Sequence, residues 1–312
     1  MSIKKILKFV IYNYYYPIKA KVLKPIYAIK RIFYVDYNSI NFKKDLLKIG
    51  VKSGDSVFVM CSANKVFKKT GYRLPVHFVL KDLIEVIGET GTVMALGFSE
   101  KRKTIIKRES IFDIKKTPTD CGIFSELLRR KKGAIRSIHP IFSAIAYGEK
   151  AKEYCLEHHK SPYPFGKYSP YYKITHDGGK YLGIGVGVEA YTPAHMIEDY
   201  FEQSFKHKMY EDNTLILDCI ANNRETRTVE TYTRREMGKV FFAPNRYLKL
   251  LGINYSKLFS KCGIKLFSMN MNEYFFSGVR QHNIRNITIY STGLPKFVEA
   301  IGRFYDRLKN IL

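Results

Sequence analysis

Apolar runs of strand length alternate with amphipathic helical segments through the first two thirds of the chain. The runs at residues 56–61, 92–98 and 142–147, and the later segment GKYLGIGVG, predict strands. Helical periodicity predicts helices at NFKKDLLKIG, PVHFVLKDLIEVIG, DCGIFSELLRRK and EKAKEYCLEHH. Helices and strands that alternate at this spacing are typical of an α/β domain with a largely buried sheet.

The last third of the chain has further strand patterns at residues 215–219 and 265–270 and a terminal helical pattern in PKFVEAIGRFYDRLKNIL. With 312 residues and 46% hydrophobic content, the chain can bury one large core or two modest ones. No repeat or low-complexity linker marks a boundary. The simplest prediction is one catalytic domain over residues 41–312, preceded by an N-terminal arm over residues 1–40.

The N-terminal arm is basic and rich in tyrosine. Eight Lys or Arg side chains precede the first acid, Asp36, and they interrupt every apolar run, so the segment resembles neither a signal peptide nor a spanning helix. Tyrosine rings and lysine side chains suit the surface of an anionic bilayer. The alternative is a basic helical arm that folds onto the rest of the protein.

Charge and cysteine content narrow the partners and the compartment. The 53 basic and 28 acidic side chains give a formal charge of +25, which favours an anionic partner. Five scattered cysteines fit free thiols in a reducing compartment, so we expect a cytoplasmic protein. If the arm binds lipid, it does so at the inner face of the membrane. The basic residues are spread along the chain and form no recognisable recognition motif, so no specific nucleic acid is expected.

The segment GVEAYTPAHMIEDYFEQ carries the strongest candidate chemistry. Thr192 followed by Pro193 predicts a helix start, with Thr192 as the N-cap and His195 in the first turn. Glu198 and Asp199 lie three and four residues further on, so either carboxylate could orient the imidazole. A neutral, oriented histidine is what a general base requires. The alternative is an ordinary structural histidine on an amphipathic helix.

Two other constellations are weaker. The pair His195 and Glu198, and the group Cys155, His158 and His159, contain metal-binding side chains, but neither gives a complete ligand set, so no metal site is predicted. The alternating glycines of GIGVGVE lack the spacing of a dinucleotide-binding loop and favour a tightly packed strand.

Five separated stretches between about residues 45 and 200 resemble, in order, the aminoglycoside 3-N-acetyltransferases. They are GVKSGDSVFVMCSANKVF, GTVMALGFS, TPTDCGIFSELLRRKKGAIRSIHPIFSAIAYG, PFGKYSPYYKI and GGKYLGIGVGVEAYTPAHMIED. The most specific parts are R-S-x-H-P-x-x-S before a small-residue strand and the later T-x-x-H-x-x-E. The resemblance implies an α/β fold with layered helices around a central mixed sheet.

The resemblance also implies acyl transfer from acyl-coenzyme A, such as acetyl-coenzyme A, to an amine on a sugar. It implies that the coenzyme A site is lined by Ser62, Ser137, His139 and Ser143. His195 matches the family's catalytic histidine and Glu198 its following acid, for direct attack of the amine on the thioester without an acyl-enzyme. The family's usual His-Ser/Ala-Ser is Met-Cys-Ser at residues 60–62 of this chain.

Two basic residues near these motifs, Lys65 and Arg136, are further candidates for contact with the coenzyme A phosphates, or are solvated surface charges. The high positive charge disfavours a polycationic acceptor. The sequence therefore predicts an anionic amino sugar, such as a nucleotide- or lipid-linked intermediate of surface polysaccharide assembly. Two alternatives stay open: an aminoglycoside acceptor, which would mean antibiotic resistance, or a membrane- or nucleic-acid-binding relative without catalytic activity.

Overall fold

A computed structural model describes residues 41–70, 75–100, 102–235, 243–260 and 263–290. Its strands are β1 (Ser56–Cys61), β2 (Thr92–Leu96), β3 (Phe112–Asp113), β4 (Ile135–Arg136), β5 (Ala144–Gly148), β6 (Lys180–Ile184), β7 (Tyr210–Ile220), β8 (Thr226–Arg234), β9 (Tyr255–Phe259) and β10 (Lys265–Asn270). Seven of them form one sheet in the order β4-β5-β2-β1-β6-β10-β9. The predicted N-terminal arm and the helix expected in PKFVEAIGRFYDRLKNIL lie outside the described residues.

Helices cover both faces of this sheet. They are α1 (Phe42–Lys48), α2 (Ala63–Thr70), α3 (Val76–Ile87), α4 (Arg102–Ile106), α5 (Ile123–Arg130), α6 (Ala151–Cys155), α7 (Pro170–His176), α8 (Met196–Phe201), α9 (Pro244–Leu251) and α10 (Met271–Arg285). Apolar side chains of α1, α3 and α5 pack on one face, and those of α6 to α10 pack on the other. The fold class is therefore as predicted: layered helices around a central mixed sheet.

The centre of the sheet is dry because its strands are apolar on both faces. Val57 and Val59 of β1 point into one core layer, whereas Phe58 between them points into the other. Every residue of β2 is buried. Continuous apolar runs of this kind are typical of parallel strands covered on both sides. β1 pairs in parallel with both β2 and β6, and the outer pairings are antiparallel.

The directions of these strands bring several loops to one edge of the sheet. β1, β2 and β6 are parallel, so their carboxyl ends share this edge, and β5 begins there because Ala144 lies opposite Leu96. The loops after β1, after β4 and after β6 all leave from it. Ligands of open α/β sheets bind at the carboxyl ends of the strands, so this edge is where a site is expected.

A second, three-stranded sheet joins β3, β7 and β8. Most of it is a long antiparallel hairpin, β7 with β8, whose outer residues are exposed. Its inner end packs against the main sheet's edge, where Thr231 and Arg234 contact residues of the candidate site. The hairpin therefore adds side chains from late in the sequence to a site whose motifs lie before residue 200.

The individual elements follow the hydrophobic pattern closely at the centre of the fold. The strands predicted at 56–61 and 265–270 have the observed bounds, and the one predicted at 142–147 begins two residues later and ends one residue later, at Ala144–Gly148. The predicted strand at 215–219 is only part of β7, because the polar start of that exposed strand lacks an apolar signal. None of the helices in the described residues is long and apolar enough to cross a membrane.

Gly148 closes the β2–β5 ladder opposite Thr92 with a φ of 121°. An added Cβ there would lie 2.1 Å from the backbone oxygen of Gly91. Gly178→Ala, at a φ of 75° with no atom within 4 Å of the added Cβ, should cost about 1–2 kcal/mol of unfolding free energy from backbone strain alone. We expect Gly148→Ala to cost clearly more in a urea denaturation experiment, and equal losses would contradict this account of the ladder.

Candidate active site

His195 lies on the segment that follows β6 at the carboxyl edge of the sheet. Residues Thr192–His195 form a 3₁₀ turn, and the α-helix begins only at Met196. The predicted cap was wrong by one residue, since Thr192 is the first residue of the turn and Tyr191 occupies the capping position without a side-chain hydrogen bond. Pro193 is the second residue of the turn, where its fixed φ is compatible with a helical conformation.

The His195 ring is oriented by Glu198. The two side chains are joined at 2.9 Å between Nδ1 and Oε1, one turn apart. The carboxylate can only accept, so Nδ1 carries the proton and Nε2 keeps its lone pair. The His195 side chain is 21% exposed, whereas Glu198 is 2% exposed. The pair thus combines a basic nitrogen, Nε2 of the partly exposed imidazole, with a carboxylate that is buried in the protein.

Two further residues, both missed by sequence reasoning, hold the other sides of the Glu198 carboxylate. Arg234, the last residue of β8, forms an ion pair with Oε2. The Tyr290 hydroxyl donates to Oε1 at 2.7 Å and lies 3.4 Å from Nδ1 of His195. Glu198 is therefore bound by three donors from three different parts of the chain.

The charges set the protonation states. Burial alone would raise the pKa of Glu198, but Arg234 and His195 outweigh it and lower that pKa to about 2. Burial is the largest cause that lowers the pKa of His195, and the positive charge of Arg234 adds to it, while Glu198 opposes both. A permanent carboxylate beside a neutral imidazole is the arrangement expected of a general base and its orienting group.

Asp199, the other predicted orienting group, is turned away from His195. It accepts a hydrogen bond from the backbone N–H of Phe165 at 2.7 Å and another from the Tyr210 hydroxyl. Burial raises its pKa to about 7. Asp199 instead holds the 163–166 loop, whose Phe165 ring lies 5.5 Å from the His195 ring.

Ser137 belongs to a buried chain of hydrogen bonds. Its hydroxyl accepts from the Ala144 N–H at 2.9 Å and lies 2.8 Å from Nδ1 of His158. His158 Nε2 donates at 2.8 Å to the backbone oxygen of Pro164. Burial lowers the pKa of His158 to about 3, so this imidazole is neutral. The chain ties the sheet edge to the loop that carries Phe165.

His139 and Ser143 are also fully buried and paired within the protein. His139 Nδ1 accepts from the N–H of Phe142 at 3.0 Å, and Nε2 lies 3.2 Å from the Thr231 hydroxyl. Ser143 accepts from Arg136 Nε at 3.0 Å and donates to the Gly97 carbonyl. The Arg136 guanidinium also donates to backbone carbonyls and is 5% exposed.

These positions do not support direct contact between coenzyme A and Ser137, His139, Ser143 or Arg136. Their polar groups face inward, onto backbone and side chains of the same protein. The motif R-S-x-H-P-x-x-S instead shapes the turn before β5 and fixes neighbouring loops at the sheet edge.

Ser62 and Lys65, in contrast, lie at the accessible part of the same edge. Ser62 is half-buried and Lys65 is exposed at the start of α2. An added Cβ on Gly185, which has a φ of 74°, would lie 3.1 Å from the Lys65 Cβ and 3.4 Å from the Ser62 Cβ. The backbone after β6 can approach them this closely because residue 185 is glycine. A hydroxyl and an ammonium at the end of a strand suit the phosphates of coenzyme A.

Comparison with known proteins agrees with this architecture. The family model described as aminoglycoside 3-N-acetyltransferase matches residues 60–270. Aminoglycoside N(3)-acetyltransferase III of Salmonella sp is 27% identical in an alignment 219 residues long, and the match covers 60% of this chain and 75% of that protein. Aminoglycoside N(3)-acetyltransferase VII of Streptomyces paromomycinus is 27% identical in an alignment 190 residues long, and the match covers 56% of this chain and 65% of that protein.

Solved structures show the same fold. The structure described as AAC-IIIb binary with CoASH has a TM-score of 0.65 and 20% identity, and the match covers 80% of this chain and 97% of that one. The sisomicin-bound AAC-VIa structure has a TM-score of 0.63 and 20% identity, and the match covers 80% of this chain and 98% of that one. The chain belongs to the aminoglycoside 3-N-acetyltransferase family, and it is an N-acetyltransferase with acetyl-coenzyme A as its donor.

Proposed function

We propose that the protein acetylates an amine of an aminoglycoside-like amino sugar, with His195 as the general base and Glu198 as its orienting group. The observation that carries this proposal is the His195–Glu198 pair. It joins a partly exposed imidazole to a buried carboxylate at 2.9 Å, at the edge where a ligand of such a sheet is expected.

The chemistry of the chain's own residues is proton transfer and positioning. Acetyl-coenzyme A supplies the activated acetyl group. His195 Nε2 removes a proton from the acceptor amine, because Nδ1 is already protonated and bound to Glu198. The charge of Glu198 stabilises the imidazolium that forms, as a carboxylate does for a histidine base in other acyl-transfer enzymes. The amine nitrogen bonds to the thioester carbonyl carbon, the C–S bond breaks, and the departing coenzyme A thiolate takes its proton from the imidazolium.

The comparisons favour the aminoglycoside acceptor over the anionic one. The matched relatives carry aminoglycoside N(3)-acetyltransferase in their names, and one matched structure holds sisomicin, whereas no comparison supports a polysaccharide intermediate. The formal charge of +25 predicted otherwise, but it is a property of the whole chain and does not describe the local potential at His195. Contact of the N-terminal arm with a membrane has no support from the comparisons either.

We place the donor along Ser62 and Lys65, at the edge formed by the ends of β1 and β6. The buried Ser137, His139, Ser143 and Arg136 shape that edge from behind. Their effect on the donor is then indirect, through the geometry of the turn before β5.

The first test is a panel of acceptors. Purified protein with acetyl-coenzyme A should acetylate an aminoglycoside such as sisomicin, measured as released thiol and as a mass increase of one acetyl group. His195→Ala should lower kcat roughly 100-fold or more, as for loss of a positioned base. His77→Ala, at an exposed position on α3, is the control. Acetyl transfer only to nucleotide-linked amino sugars would contradict the proposed aminoglycoside acceptor. Normal turnover by His195→Ala would show that His195 is not the base.

A second test separates the two neighbouring carboxylates. Glu198→Gln removes the charge that holds the imidazole and should lower kcat at least about tenfold, whereas Asp199→Asn should change kcat less. If Asp199→Asn proves the more damaging to kcat, the orienting role assigned to Glu198 is wrong.

The Asp199→Asn variant also has a stability readout. The pKa of Asp199 is raised from 3.8 to about 7, so wild-type stability from this group is complete at low pH and is lost as pH rises through 7. The stability difference between wild type and Asp199→Asn, from urea melts, should therefore shift against the wild type between pH 4 and pH 8.

A third test separates donor contact from structural support. Lys65→Ala should raise the KM for acetyl-coenzyme A several-fold with little change in kcat, unlike the exposed control Lys48→Ala. Ser137→Ala should instead lower the free energy of unfolding by about 1–3 kcal/mol, because it leaves buried partners unpaired. A Ser137→Ala variant with normal stability and a raised KM would restore direct contact with the donor.

A further inference from the structure

The Glu198 carboxylate is the point at which three segments of the protein meet. His195 reaches it from its own turn, Arg234 from a position 36 residues later and Tyr290 from a position 92 residues later. The motif T-x-x-H-x-x-E contains only the first of these contacts. The other two residues lie beyond the segment in which the family motifs occur.

Arg234 is fixed independently of Glu198. Its guanidinium carbon lies 5.3 Å from the centre of the Tyr210 ring and 6.0 Å from that of Phe165. Its Nη1 donates to the Tyr210 hydroxyl at 3.3 Å, and the side chain is only 14% exposed. A guanidinium stacked on aromatic faces loses much of its freedom before it binds a carboxylate. Arg234 is therefore a preorganised partner for Glu198.

The other titratable groups that surround Glu198 do not replace the positive charge of Arg234. They are Tyr247 of α9, Tyr274 of α10, Tyr290, His207 and, through Asp199, Tyr210 of β7. Burial raises the pKa of each of these tyrosines and lowers the pKa of His207, so all five are neutral near pH 7. Asp199 is the one further acid in this group.

Charge balance then fixes the state of the histidine. With neutral His195, the buried trio of His195, Glu198 and Arg234 has no net charge. Protonation of His195 would leave one net positive charge in a site that is largely removed from water, which is unfavourable. Without Arg234, a proton on His195 would instead balance the negative charge of Glu198. The imidazole would then hold that proton more strongly.

We infer that Arg234 and Tyr290 are positioning residues that lock Glu198 as a charged, immobile acceptor and thereby keep Nε2 of His195 available as a base. Arg234 holds Oε2 by an ion pair, and Tyr290 holds Oε1 by a hydrogen bond. The catalytic part of this inference rests on the proposed function, but the protonation state of His195 does not.

The first experiment follows the titration of His195 by NMR in protein with ¹³C-labelled histidine and no substrate. His195→Ala identifies the resonance. Arg234→Gln should move the His195 titration to higher pH, because a neighbouring positive charge is removed. The matched control is Arg235→Gln, since Arg235 lies next in the chain but pairs with Glu211 and Asp212 on the outside. Tyr290→Phe removes no charge and should move the titration much less.

The second experiment measures the pH dependence of kcat/KM with acetyl-coenzyme A and the best acceptor. Arg234→Gln should shift the acidic limb to higher pH and lower kcat roughly 10- to 100-fold, the scale of a misplaced catalytic group. Tyr290→Phe should lower kcat without that shift. Arg234→Lys should restore the position of the limb and only part of kcat, since it keeps the charge and loses the planar fork.

A comparison in the Glu198→Gln background covers the case in which Arg234→Gln alone fails to fold. Arg234→Gln in the Glu198→Gln background leaves no unpaired buried charge, and it should cause no further loss of kcat beyond Glu198→Gln alone. An Arg234→Gln variant with wild-type titration and kcat, or a clear further loss of kcat when Arg234→Gln is added to Glu198→Gln, would overturn the inference. A shifted titration in a protein that acetylates no amine would support the inference and refute the proposed function.

Discussion

A carboxylate with almost no access to water must be satisfied by the protein, and Glu198 is that carboxylate here. Its three donors come from the turn after β6, from the β7–β8 hairpin and from the segment after α10. The relative placement of the main sheet, the small sheet and the C-terminal part of the described chain is therefore fixed around one anion. The orientation of His195 follows from that placement.

How much of this could be read from the sequence depends on how local each signal is. His195 and Glu198 were predictable because a spacing of three residues puts both on one side of a turn. Arg234 ends a hairpin whose exposed strands have a weak apolar pattern, and Tyr290 stands in no motif at all. Only the folded chain brings these two residues to Glu198, so no inspection of neighbouring residues could have identified them.

The serine and histidine residues of the motif before β5 show a different limit. The sequence shows polar residues next to a strand at the edge of the sheet, but it does not show in which direction their side chains point. Ser137 binds His158, which lies 21 residues later in the chain, and His139 binds Thr231, which lies in the small sheet. The side chains of these two residues also close the turn before β5. A motif shared with a family can therefore mark residues that support a site as readily as residues that contact its ligand.

The span between Glu198 and Tyr290 also bears on how the protein folds. Contacts that close long loops form late, because the chain entropy they cost is recovered only after neighbouring structure exists. The His195–Glu198 turn can form as soon as that short segment is ordered, whereas its last donor arrives only after β9, β10 and α10 have been added. A nascent chain that stops before residue 290 would hold the sheet's parallel centre and the histidine, but not a finished environment for it. The contact between Tyr290 and Glu198 therefore indicates that the chain after α10 has packed against the rest of the protein.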